Sequence, residues 1–232
     1  TDPVPARLGS GWLMPLRLAI FDLDGTLKQV RDPYVFLHKR LGTWEAAQAF
    51  SAKGMAGELR YDDWLRLDAS LWKGVSRATM EKAFRQDPYL PGARQTVLGL
   101  KEAGVHVALV SSGPSVHAEQ VQAELGIDQV FANQILFENG RATGQAFTRV
   151  PEKGKARIVA QLQDEMGVEP GECLAVGDSP SDIGMFRKVR LGIAVNPSSD
   201  EVRKAAGLLL EGQDLRPLVP RVRDAMPGWM RT

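Results

Sequence analysis

The sequence predicts an α/β protein: a doubly wound, Rossmann-like parallel sheet with a helical cap inserted after its first strand. Two observations predict it. Four short apolar runs recur, "LRLAIF", "VHVALV", "CLAVG" and "LGIAV", and each is closed by a polar residue: Asp22, Ser111, Asp178 and Asn196. Amphipathic segments separate them, the pattern of strands that crossover helices bury on both faces. Between the first and second runs, in contrast, residues 29–90 carry helical spacing and no convincing strand.

In chain order, residues 1–13 are rich in Pro, Gly and Ser and precede Met14, which reads as a natural start. This lead is an extension or an added segment and stands outside the fold. Residues 14–28 begin the core with "LRLAIF" and the turn "DLDGT". The cap, 29–90, divides into the helical segments "PYVFLHKRLG", "TWEAAQAFSAKGM", "YDDWLRLDASLW" and "RATMEKAFRQ". Pro88 and "LPG" at Leu90–Gly92 break the last of them and return the chain to the core, 91–232. Within that second part, "ILFENGRATGQAF" sets a turn-rich centre between apolar flanks and predicts a hairpin.

Composition excludes several classes. Lys plus Arg number 29 against 28 Asp plus Glu, for a formal net charge of +1. No overall field therefore draws the chain to nucleic acid or to an acidic membrane surface. Neither a signal-peptide h-region nor a run of 18 apolar residues is present, and the lone Cys173 can form neither an internal disulfide nor a thiolate metal cluster. A cytoplasmic protein is expected; the residues carry no signal for an oligomeric state.

Ligands of open α/β sheets bind at the carboxyl ends of the strands, where the polar residues fall. Asp22 and Asp24 sit two positions apart at the first strand end, and two buried carboxylates there call for a cation, a shared proton or exposure. Asp178 closes a later strand and Asp182 follows at the start of a helix. Asp22 and Asp178 on neighbouring strands can hold one Mg²⁺, which takes oxygen ligands and draws in a phosphoryl group, with Asp24 contributing its carbonyl. Asp22 is then a nucleophile and the Asp24 carboxyl an acid and base. Ser111 with the backbone amides at Ser112 and Gly113 can cradle phosphate oxygens, and Lys155 or Lys153 in "PEKGKARIV" supplies a cation.

"FDLDGTL", "VSSG", "KGKARIV" and "GDSPSDIGMF" resemble the four motifs of the haloacid dehalogenase-like hydrolases. Their spacing, the cap segment "MAGELRYDDWL" and "VFANQILFENGRATG" resemble the phosphoserine phosphatase branch. The resemblance implies Asp22 as nucleophile, Asp24 as acid/base, Ser111 and Lys155 as phosphate contacts, and Asp178 as metal ligand with Asp182 supporting it; it selects Lys155 over Lys153. That branch carries a Glu nine residues after the nucleophile and an Arg in the cap, where this chain has Arg31 and Asp68. Both signs are reversed, so Arg31, Asp68 and the cap aromatic Tyr61 are expected to select a small phosphomonoester other than phosphoserine. Transfer to an acceptor hydroxyl and non-catalytic binding of a phosphometabolite are the alternatives. His38, His106 and His117 match none of the motifs and read as cap, strand and helix residues, and Trp64 and Trp72 as cap packing.

Overall fold

The computed structural model describes residues 14–151, 153–212 and 214–229, so the lead at 1–13 lies outside the described residues. Strand β1 (Leu18–Phe21) is followed by four helices, α1 (Pro33–Leu41), α2 (Trp44–Met55), α3 (Tyr61–Leu71) and α4 (Arg77–Phe84). The chain continues through α5 (Ala93–Glu102), β2 (His106–Pro114), α6 (Ser115–Leu125), β3 (Gln129–Glu138), β4 (Arg141–Phe147) and α7 (Lys155–Met166). Next come β5 (Cys173–Gly177), α8 (Ile183–Phe186), β6 (Leu191–Val195), α9 (Asp200–Ala205), β7 (Leu208–Leu210) and α10 (Leu218–Ala225).

The strands form one sheet in the order β4-β3-β2-β1-β5-β6-β7. All neighbours are parallel except β3 and β4. Because side chains alternate across a strand, Ala19 and Phe21 of β1 face one layer with Val97, Leu100, Val121 and Val222, while Leu18 and Ile20 face the other with Ile158, Val159 and Leu162. The four apolar runs form β1, β2, β5 and β6. The predicted hairpin is present as β3–β4, but sequence reasoning did not place it in the sheet, which it extends on one side, and did not foresee β7, three residues long, on the other. It also ended β2 at Ser111, whereas the strand runs to Pro114 with its register to β3 shifted between Val110 and Pro114. That irregularity re-aims Ser111, Ser112 and Gly113 toward the sheet's carboxyl edge.

The helices α1 to α4 enclose a separate apolar cluster of Leu37, Leu65, Ala69, Trp72, Met80 and Phe84, which extends onto Ile135, Ala142 and Ala146 of the hairpin. Backbone bonds reinforce this seam: Gly74 and Arg77 donate to the carbonyls of Ala142 and Gly140, and Ala142 donates to Val75. The two crossings between helical segment and core lie side by side. Leu90 N–H donates to Leu27 and Gln29 N–H to Pro88, while the Asp87 carboxylate accepts from Val30 N–H at 3.1 Å.

Candidate active site

β1 and β5 are adjacent and in register, so the residues that follow them, Asp22 and Asp178, emerge side by side at the carboxyl edge. Asp22 anchors there by donating its N–H to Val176 O at 2.9 Å. Gly25 makes the close approach possible: its φ is +82°, and a Cβ on it would lie 2.5 Å from Asp178 Oδ2. Carboxylate oxygens of Asp22, Asp178 and Asp182 all lie within 4.8 Å of one another.

Lys155, at the start of α7 and 2% exposed, places Nζ 2.7 Å from Asp22 Oδ1 and 2.7 Å from Asp182 Oδ1. Lys153 is exposed, so the lysine singled out by the resemblance is the one the fold buries. Burial alone would lower the Lys155 ammonium, but Asp182 and then Asp22 outweigh it and hold it above its ordinary range. Burial, followed by the charge of Asp182, pushes Asp22 well above the carboxylate range. The same two causes push Asp178 up to about 7, against the pull of Arg31 and Lys155. One lysine is too little positive charge for this cluster, and the donor set is hard oxygen, which fits a divalent cation. Asp182 is already engaged, since its Oδ2 accepts from the N–H groups of Asp178 (3.0 Å) and Ser179 (2.9 Å) and from Ser179 Oγ (3.0 Å). Open lone pairs therefore remain on Asp22 and Asp178.

Asp24 Oδ2 accepts from Ser111 Oγ at 2.9 Å, and Ser111 Oγ in turn accepts from Gly113 N–H at 2.8 Å. The expected phosphate cradle is thus partly turned inward: the Ser111 hydroxyl and the Gly113 amide serve Asp24, while Ser112 Oγ is buried with no partner at the cavity wall. The Ser112 carbonyl accepts from Tyr61 Oη (2.9 Å), Tyr34 Oη (3.0 Å) and Asn133 Nδ2 (2.7 Å), which holds the loop's peptide planes in one orientation.

A cavity of about 690 Å³ lies between this edge and the helices, with Asp22, Asp24, Lys155 and Asp178 on its floor. Arg31, Asp32, Tyr34, Met55, Tyr61, Trp64, Leu65 and Asp68 contribute to its walls. Arg31 and Asp68 do not answer one another. Arg31 Nε is 3.4 Å from Asp178 and its Nη2 donates to Asn196 O at 2.6 Å, so its charge is directed at the floor. Asp68 accepts from His38 Nε2 at 2.9 Å, and His38 Nδ1 accepts from Trp72 Nε1 at 3.2 Å, so the ring is the Nε2–H tautomer. Burial raises Asp68 and Asp32 above the usual carboxylate range. Trp72 packs in the helical cluster as expected, whereas Trp64 lines the cavity.

Sequence reasoning missed Asp32, Tyr34, His38, Asn133 and the setting of His117. Asp32 had a local signal, an Asp before Pro at a helix start, where it accepts from Val35 N–H at 2.9 Å. The others take their roles from partners far along the chain.

Residues 19–187 match the family model of the haloacid dehalogenase-like hydrolases. A phosphoserine phosphatase of Archaeoglobus fulgidus is 35% identical over 78% of this chain, which spans 52% of that protein's length. A phosphoserine phosphatase of Methanocaldococcus jannaschii is 29% identical over 89% of this chain and 98% of its own. A solved phospho-aspartyl intermediate analogue of phosphoserine phosphatase superposes with a TM-score of 0.74 at 29% identity, over 89% of this chain and 99% of that one. These relatives lend no support to the expectation that phosphoserine is excluded. With the fold, the acidic cluster and the buried lysine in agreement, the chain belongs to the haloacid dehalogenase-like hydrolase family, as a phosphatase of its phosphoserine phosphatase-like branch.

Proposed function

We propose that the protein is a Mg²⁺-dependent phosphomonoesterase that works through an aspartyl-phosphate on Asp22, with residues 29–90 as its cap. The observation that carries this reading is the convergence of Asp22, Asp178 and the buried Lys155 beneath a cavity that also reaches Asp24. Asp22 and Asp178, with the Asp24 carbonyl, would hold Mg²⁺, which when bound supplies positive charge to the phosphoryl oxygens and to the crowded carboxylates.

Asp22 attacks phosphorus, the bond from phosphorus to the ester oxygen breaks, and Asp24 delivers its proton to the departing alkoxide. Water then attacks the aspartyl-phosphate and gives a proton to Asp24, and the electron pair of the broken bond returns to Asp22. Lys155 orients Asp22 and neutralises charge throughout.

The walls support a leaving group. Asp32 and Asp68 offer carboxylates, Tyr34, Tyr61 and Trp64 offer aromatic surface, and Arg31 is drawn down to Asp178. This pattern suits an alcohol bearing an amine or hydroxyl donor and no carboxylate. The relatives' name makes phosphoserine the compound against which that reading is judged. The same reading makes the protein cytoplasmic and its substrate a small molecule; among the described residues no helix is long and apolar enough to cross a membrane.

The test is phosphate release from a panel of phosphomonoesters, phosphoserine and phosphoethanolamine included, with Mg²⁺ and with chelator, for the native protein and Asp22→Asn. Metal-dependent release that the substitution abolishes is expected, with phosphoethanolamine ahead of phosphoserine. Release that survives in Asp22→Asn overturns the mechanism, and a preference for phosphoserine overturns the reading of the walls.

A further inference from the structure

His117 lies on α6 behind the catalytic edge, 1% exposed, its ring stacked on Phe84 of α4 at 4.2 Å and 5° between planes. A phenyl ring would fill that space without desolvating two nitrogens. The imidazole instead meets a carboxylate at each end. Nδ1 is 3.4 Å from Asp24 Oδ1, and Nε2 is 3.9 Å from Asp87 Oδ2. Asp24 Oδ1, Asp87 Oδ2 and both ring nitrogens are buried and have no hydrogen bond of good geometry. Asp87 is 1% exposed and belongs to the crossing between cap and core, where its other oxygen holds Val30 N–H. Lys28, also buried, donates to the Asp87 carbonyl at 2.7 Å and lies over the Tyr89 ring.

We propose that His117 is a positioning residue for Asp24: its Nδ1–H closes on Asp24 Oδ1 when substrate binds, tying the acid/base carboxylate to the cap crossing through Asp87. As the acid, Asp24 carries its proton on the side that faces the cavity, so the oxygen beside the ring only accepts and the ring nitrogen that faces it is the donor. Catalytic hydrogen bonds are commonly long without substrate and tighten in the complex, and a 3.4 Å approach between two buried atoms with no other partner leaves room for such a bond to close. Ser111 already holds Oδ2, so the two donors fix the carboxylate's rotation while each oxygen keeps a second lone-pair site for the cavity. Asp87 is hydrogen-bonded to Val30 within the cap crossing, so in this proposal the position of the cap would reach Asp24 through one ring.

This inference rests on the phosphatase reading, and the experiment separates the two. p-Nitrophenolate departs without a proton, so p-nitrophenyl phosphate forms the aspartyl-phosphate without an acid, but hydrolysis of that intermediate still needs Asp24 as base. In His117→Phe the steady-state kcat on this ester is expected to fall about 10- to 100-fold, with KM falling alongside it so that kcat/KM stays within about threefold, and with an initial burst of product retained. On an alkyl phosphate the burst is lost as well. His117→Asn, which keeps an N–H near the place of Nδ1, restores the rate to within about threefold, whereas His117→Gln, whose amide reaches toward Asp87, does not.

A His117→Phe protein with the native steady-state rate overturns the proposal, as does one in which burst and steady state fall together. If that variant does not fold, His117→Gln matching or exceeding His117→Asn overturns it. Absence of metal-dependent turnover in the native protein is the failure of the phosphatase reading, and the inference falls with it. Native turnover beside an unaffected His117→Phe is the failure of the inference alone.

Discussion

The floor of the cavity places three carboxylates around one ammonium, and that imbalance has a thermodynamic consequence. Asp22 and Asp178 have folded-state values above the unfolded ones, so in the folded state they bind protons more tightly. Their contribution to stability is full below the unfolded carboxylate value and is lost as pH rises through the folded values, which for Asp178 means toward about 7. In chelator, the Tm is therefore expected to fall between about pH 4 and pH 7. Mg²⁺ should raise the Tm at pH 7 and have little effect at pH 4, where the ligands are protonated. Scanning calorimetry across that range with and without Mg²⁺ checks this; a flat profile, or stabilisation equal at both pH values, defeats it. Asp22 and Asp178 were legible in the sequence because each follows an apolar run directly, so chain position alone puts it at the edge. His117 was not, because nothing near it in the chain names Asp24 or Asp87 as its partners. Asn133 was hidden in the same way: its Nδ2 group meets Ser112 while its Oδ1 takes the N–H groups of Arg149 and Val150, and neither relation shows in "VFANQ".

Among the elements, α3 joins the greatest number of roles. It presents Asp68 to the cavity, packs Leu65 and Ala69 in the helical cluster and lies against the hairpin strand β4. Trp72, at its C-terminal end, is fully buried, stacks on Tyr34 at 6.1 Å and donates to His38, which holds Asp68. Trp72→Ala should cost about 3–5 kcal/mol in urea unfolding, since removing a fully buried indole leaves a void that its neighbours close only in part. Trp72→Phe keeps most of the ring and loses the N–H, at a cost of about 1–2 kcal/mol. An alanine variant within about 1 kcal/mol of native would show that the helical segment is not organised on this residue. The four helices were readable from their apolar period and their stops, and the four central strands from continuous apolar runs. The margins of the sheet were not. Strand β7 is too short to show a period, and the hairpin β3–β4 was readable as a hairpin but not as part of the sheet, because only the pairing of β3 with β2 joins it.

For the molecule as a whole, the arrangement divides labour between a floor made by strand ends and walls made largely by the helical segment. In the proposed mechanism the floor residues would meet the phosphoryl group of any ester, so Asp22→Asn should abolish turnover of every substrate alike. In the same reading the walls would meet only the leaving group, so a wall residue should change ratios between substrates. Asp68 is the sharpest probe because one atom can be exchanged without emptying space. Asp68→Asn keeps an acceptor for His38 Nε2–H and removes a buried negative charge from the wall. A serine leaving group brings a carboxylate that Asp68 repels, and an ethanolamine leaving group brings an ammonium alone. Removing the charge should therefore shift the ratio of kcat/KM for phosphoserine over phosphoethanolamine upward by about tenfold, the equivalent of about 1.4 kcal/mol. The mechanism predicts no such shift for Lys155, whose removal leaves Asp22 and Asp182 without their shared cation and should depress both substrates together. Measuring kcat/KM for the two esters in both variants separates wall from floor. A ratio unmoved by Asp68→Asn would mean that the leaving group never reaches α3 and that choice among phosphomonoesters is made elsewhere along the cavity.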